Sequence, residues 1–143
     1  MSGQDTDLSK LERGLATIEK LVGKRYRAAY EARIAAGGLD ADLASLAVEF
    51  AFSDAWARPG LGLRERSLVV ISLMIATRQT AELKSHFHLG LKNGLTPEEL
   101  GEVLIQVVPY IGLAPMHHAY DTLKEVLTER GPATPSPPAH SEG

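Results

Sequence analysis

The sequence predicts an all-α fold: a single domain built as a bundle of about six to seven helices. Three observations carry that expectation. Apolar residues recur at intervals of three and four from Leu8 to Leu127, the period of a helix that buries one side. No stretch alternates apolar and polar residues as a half-buried strand does. Thr96-Pro97-Glu98-Glu99 is a complete helix start, with an N-cap threonine, proline at the first helical position and a glutamate placed for a capping box. A chain of 143 residues can bury one sizeable core and has no room for a second domain.

The elements follow in order. Residues 1–6 are polar and expected to be flexible; the helical domain spans 7–130. Leu8, Leu11, Leu15, Ile18 and Val22 share one helical face, with Asp7 or Ser9 as cap. Arg25 to Ala36 forms a second helix, with Tyr26, Ala29, Tyr30 and Ile34 at helical spacing and Arg25, Arg27 and Arg33 outward. Gly37-Gly38 ends it. A third helix opens at Leu39 or Asp40, turns Leu43, Leu46, Ala47, Phe50 and Ala51 inward, and has Trp56 near its end. Arg58-Pro59-Gly60 is a turn.

The stretch Leu63 to Asn93 is the centre of the chain. Arg64-Glu65-Arg66 opens it, and from Leu68 to Ile75 only Ser72 is polar. That run reads as a fully buried helix, and charges at the mouth of a buried helix are costly unless paired or used. After a polar break at Thr77 to Thr80, a fifth helix packs Leu83, Phe87, Gly90 and Leu91. Lys84, His88 and Lys92 recur every fourth residue on a solvent-directed face, while His86 borders the apolar side beside Glu82. Asn93-Gly94 closes this helix. The sixth runs from Pro97 to Val108, where Pro109 is expected to kink or end it. Pro115 opens the seventh, through Met116, Ala119, Tyr120, Leu123, Val126 and Leu127, with His117 at the border of the apolar face and His118 turned away. Gly131 closes it, and residues 131–143 are a proline-rich tail expected to be disordered.

Composition narrows the function. The formal charge is −3 with no basic field, so nucleic acid is not an expected partner. There is no cysteine, which excludes a disulfide, thiol chemistry and a thiolate-bound metal. His86 and His88 diverge by about 200° on a helix and make no metal pair. No metal is expected. The opening MSGQDTDLSK lacks a charged-then-apolar leader, so a cytoplasmic protein is expected. The longest apolar run is too short to cross a bilayer, and no membrane partner is expected.

Several motifs occur together and in order: Trp56-Ala57-Arg58-Pro59-Gly60-Leu61, Arg64-Glu65-Arg66-Ser67-Leu68-Val69, Glu82-Leu83-Lys84-Ser85-His86, Asn93-Gly94 and Glu98-Glu99-Leu100. In this the chain resembles the carboxymuconolactone decarboxylase family, of alkyl hydroperoxidase-D-like fold, from about Leu43 to Leu127. The resemblance implies an all-α subunit of a ring-like homo-oligomer, a trimer or hexamer. It also implies a cofactor-free decarboxylase of the β-ketoadipate branch of aromatic catabolism, converting γ-carboxymuconolactone (4-carboxymuconolactone) to an enol-lactone. Related hydroperoxidases carry Cys-x-x-Cys ahead of the histidine; Gln79 and Glu82 stand at those places here, so thiol peroxidase chemistry is excluded. Two departures fall where a substrate is read: Gly23-Lys24-Arg25-Tyr26 stands for the family's Gly-x-x-His, and Gly112-Leu113-Ala114-Pro115-Met116-His117 for Gly-Val-Pro-Ala-Ala-Asn.

The implied chemistry needs no cofactor, because carbon dioxide leaves electrons that spread into the lactone carbonyl as a dienolate. The protein must bind a dianion, stabilise the oxyanion and deliver a proton to carbon. His86 is the candidate hydrogen-bond donor or general acid, and Glu65 the candidate to orient it or carry the proton. Arg66 and Arg58 are candidates to hold a substrate carboxylate, with Trp56, Tyr110 and His117 as pocket walls. Two other readings stay open: the same fold acting on a different lactone or keto acid, and a non-catalytic oligomer that binds a small acid.

Overall fold

The computed structural model describes residues 8–131. Among them are seven α-helices and one π-helical segment, with no strand. In order these are α1 (Lys10–Val22), α2 (Lys24–Ala36), α3 (Gly38–Leu46), the π segment (Ala47–Trp56), α4 (Leu63–Ala76), α5 (Thr80–Lys92), α6 (Pro97–Ile111) and α7 (Leu113–Arg130). The all-α expectation holds. Those for residues 1–6 and for the tail beyond Gly131 fall outside the described residues.

The N-terminal helices build a small core of their own. Ser9 caps α1 by accepting from the Glu12 backbone N–H at 3.2 Å, so Leu8 precedes the helix and lies exposed instead of extending its apolar face. Leu15 and Ile18 of α1 are buried against Val48 of the π segment, flanked by Leu11, Val22, Tyr30, Ile34 and Phe52. Arg27 of α2 was expected to face outward. It instead gathers Glu12 at 2.7 Å, Glu31 at 3.0 Å and Glu19 at 3.3 Å, and Glu12 and Glu31 hold its guanidinium above the ordinary arginine range. A long side chain can bury its stem while its charged head is satisfied, which the helical wheel alone does not anticipate.

The third helix corrects the sequence reading most. Leu43, Leu46 and Phe50 were expected inward, yet all three are exposed, Phe50 by 69%. The buried positions are Ala41, Ala44, Val48 and Ser53. Small side chains let this element lie close on its neighbours, so backbone approach decided the packing over hydrophobicity. From Ala47 the helix widens to a π pattern, which ends where the Ala57 N–H bonds the Phe52 carbonyl five residues back, at 3.1 Å.

The C-terminal helices form the larger core, centred on Phe87, Ile71, Ile75, Leu100 and Val126. Helix α4 is not buried all round: Ser67, Ile71 and Ile75 point in, while Val69 and Leu73 are 51% and 55% exposed. Apolar side chains on every side of a helix state only that several sides avoid water, not which ones this chain itself covers. The capping box at Thr96 is present as expected. Helix α6 does not end at Val108 but continues through Pro109 to Ile111, so the proline lies inside its last turn. Helix α7 starts at Leu113, after Gly112, two residues before Pro115. The two cores are separate, and the chain crosses between them through the turn from Trp56 to Leu63.

Candidate active site

Helices α4 and α5 form an antiparallel hairpin whose register is fixed by a hydrogen bond from the Asn93 side-chain amide to Ser67 Oγ, at 3.0 Å. His86 lies two helical turns before Asn93 on α5. Its neighbours Phe87, Leu89 and Gly90 are buried, which leaves the imidazole half-buried. Burial pushes its pKa below the usual 6.5, and the Glu82 carboxylate one turn earlier opposes that only in part. Nδ1 is sealed from solvent and has no hydrogen-bond partner. Buried polar atoms are almost always paired, so the orphan nitrogen makes His86 a candidate contact for a ligand or water.

A second group assembles around Trp56, at the end of the π segment. Arg66 donates from its terminal nitrogen to the Arg58 carbonyl at 2.8 Å and so ties the start of α4 to the turn. Its Nε is buried without a partner beside a cavity of about 120 Å³ walled by Trp56, Leu61, Val69 and Val70. On the other side of Trp56 and Leu61 opens a cleft of about 560 Å³ that also includes Arg58, with α1 as its far wall. Pockets of this size hold small organic ligands.

Glu65 sits apart from His86. It is exposed in the first turn of α4, where a carboxylate favours the helix N-terminus; it is 3.6 Å from the Arg64 guanidinium, and no hydrogen bond or ion pair joins it to His86 among the described residues. Arg64 also pairs with Glu99 of α6. Tyr110, near the end of α6, is 81% exposed, and His117 is exposed on α7; neither lines the Trp56 cleft. The chain therefore brings Trp56, Arg58 and Arg66 together, keeps His86 in its own half-buried niche, and leaves Glu65, Tyr110 and His117 on its surface. His88, assigned to a solvated face, meets Glu129 of α7 at 3.1 Å beside Lys84.

The model of the carboxymuconolactone decarboxylase family matches residues 41–125. The chain belongs to this family. It is similar to the 4-carboxymuconolactone decarboxylase of Acinetobacter baylyi, 33% identical over 90 residues that cover 63% of this chain and 67% of that protein. It is also similar to the nitrosuccinic acid decarboxylase of Metarhizium robertsii, 34% identical over 67 residues, and spans about half of it, 47% of each protein being covered. The family segment runs from α3 into α7 and contains His86, Arg66, Arg58 and Trp56, but not α1 or α2.

Two cleft residues escaped the sequence reading, and both lie outside the family segment. Arg13 and Lys20 of α1 face the Trp56–Leu63 turn across the cleft. On a helix at about 100° per residue they fall within roughly 20° of each other, opposite Leu11, Leu15 and Ile18. The sequence marks them only as the polar side of an amphipathic helix; what they face depends on how the two halves meet.

Proposed function

We propose that this protein is a cofactor-independent decarboxylase of a carboxylated lactone such as 4-carboxymuconolactone, serving aromatic catabolism by the β-ketoadipate branch as a cytoplasmic homo-oligomer. The observation that carries this reading is His86: an imidazole whose neutral form burial favours, with an unsatisfied buried nitrogen, in a chain of this family. In the reaction the bond from the ring carbon to the carboxylate breaks, carbon dioxide leaves, and the electron pair moves through the unsaturated lactone onto its carbonyl oxygen. A neutral imidazole N–H directed at that oxygen stabilises the dienolate without having to lose its own proton first. A proton is then added to carbon, with Glu65 the proposed carrier. Arg66 and Arg58 supply positive charge for the substrate, and Trp56 an apolar wall; Tyr110 and His117 are exposed and would act only where another surface closes over them.

The test is carbon dioxide release from 4-carboxymuconolactone by wild type and His86→Ala. Removing one donor to a developing oxyanion costs about a hundredfold to a thousandfold in kcat, with the melting temperature kept as the check on folding. Wild-type turnover by the variant, or no release by the wild type, would end this reading. The similarity to a nitrosuccinic acid decarboxylase favours one alternative, a different small diacid whose electron sink is not a lactone. Both named substrates are diacids in which a group beside the departing carboxylate accepts its electrons.

A further inference from the structure

Six of the fifteen lysines and arginines of this chain are paired, and three of the others lie together. Arg27, Arg33, Lys10, Arg64, Lys84 and Lys124 each contact a carboxylate. Arg13, Lys20 and Arg58, which converge on the Trp56 cleft, have no carboxylate within 4.0 Å among the described residues. Arg13 is braced by donating to the Leu8 carbonyl at 2.5 Å, with other guanidinium N–H groups to spare. The Thr17 hydroxyl between the cations is committed to the Arg13 carbonyl at 2.9 Å, so it forms wall and not donor. The rest of the lining, including Trp56, Leu61 and Leu63, is apolar. A cleft whose cations have no carboxylate partner among the described residues, with an indole and leucines elsewhere, fits an amphipathic anion: a flat apolar body carrying a carboxylate.

Decarboxylation decides which carboxylate. A cation that grips the departing group stabilises the bound substrate more than the transition state, where that charge is draining into the ring, and so slows the step. Cations serve best on a carboxylate that does not react. We propose that Arg13, Lys20 and Arg58 hold the spectator carboxylate of a diacid substrate, so that α1, outside the family segment, selects for diacids. The assignment of this ligand as substrate rests on the decarboxylase reading above; the binding chemistry of the cleft does not.

Trp56 is the only tryptophan and lines the cleft, so its fluorescence reports occupancy directly. The probe is phenylacetate, an apolar ring with one carboxymethyl group, against phenylacetamide, its uncharged isostere. A saturable fluorescence change is expected with phenylacetate, at least tenfold weaker with phenylacetamide and weakened by added salt. The variant Arg13→Gln/Lys20→Gln alters the polar side of α1 and leaves its packed face intact; it should bind phenylacetate about tenfold more weakly, the size expected for lost charge-assisted contacts. In turnover of a diacid substrate it should raise KM with kcat little changed, the signature of uniform binding removed. Equal binding of the two probes, undiminished binding by the double variant, or an unmoved KM would each overturn the proposal. Should no substrate be decarboxylated, the decarboxylase reading fails, and the fluorescence arm still decides the cleft. Lys20→Gln alone, expected to weaken binding in the same direction, guards against misfolding of the double variant.

Discussion

Two glycines packed inside helices invite the same substitution and should answer it to very different degrees. A Cβ added at Gly14 of α1 would overlap the Val48 carbonyl oxygen and would stand 2.6 Å from Val48 Cγ1. At Gly90 of α5 it would meet the Cδ1 atoms of Ile71 and Leu95 at 2.9 and 3.0 Å. In either helix, glycine to alanine gains about 1 kcal/mol of propensity. At Gly90 the obstacles are the ends of flexible side chains, which yield by a few tenths of an ångström, so the net change should lie within about 1 kcal/mol of zero. At Gly14 the obstacle is backbone, and α1 must lift off the π segment. Overpacking costs typically about 1–3 kcal/mol, and a backbone obstacle belongs at the upper end, which leaves a net loss of about 2 kcal/mol for Gly14→Ala after the propensity gain. With an unfolding entropy of about 2.1 cal/mol/K per residue, that lowers Tm by roughly 7 °C. Thermal melts followed by circular dichroism measure both variants. Equal shifts, or a Gly14→Ala protein as stable as wild type, would refute the claim that α1 docks on the π segment through backbone contact.

Two further outcomes follow from the charges. Arg27→Ala leaves Glu12, Glu19 and Glu31 facing one another without their shared cation; urea denaturation should show a loss of about 1 kcal/mol at low salt that shrinks in about 1 M salt. His86 has its pKa lowered by burial, so below pH 6.5 the unfolded chain binds a proton that the folded chain resists. Its contribution is therefore fully present above 6.5 and is lost as pH falls through the lower, folded-state value. Wild type should accordingly lose stability relative to His86→Gln as pH drops below 6.5; a pH-independent difference between the two would contradict the burial.

The legible parts of this fold are those fixed by local chemistry. Thr96-Pro97-Glu98-Glu99 specifies its capping box within four residues, and Gly37, Gly112 and Gly131 take the positive φ that a helix end requires. The period of α5 also placed Leu83, Phe87, Gly90 and Leu91 inside. Depth was less legible. Leu43, Leu46 and Phe50 carry the same periodic signal as Leu15 and Ile18, yet one set is exposed and the other sealed; periodicity reports a side that avoids water, not what covers it. Of the residues lining the two cavities, Trp56, Arg58 and Arg66 were legible as candidates through motif order. Arg13 and Lys20 were not, because their meaning arises only where α1 faces a turn some forty residues away.

Burial also discriminates between the two roles open to His86. A general acid must carry its proton at working pH, and a lowered pKa thins the protonated population there. A hydrogen-bond donor to an oxyanion has the opposite requirement, since neutral imidazole keeps one N–H and a dry niche strengthens what it donates. On the proposed mechanism the burial of His86 therefore favours donation over proton transfer, and the proton that quenches the dienolate would arrive by another route. Glu65 makes no hydrogen bond to His86 in the single chain, so a direct relay between them is not built in. That proposed division has a kinetic consequence: solvent isotope sensitivity should survive in His86→Gln even as kcat falls, because on this mechanism the residue lost stabilises charge and is not the one that moves the proton.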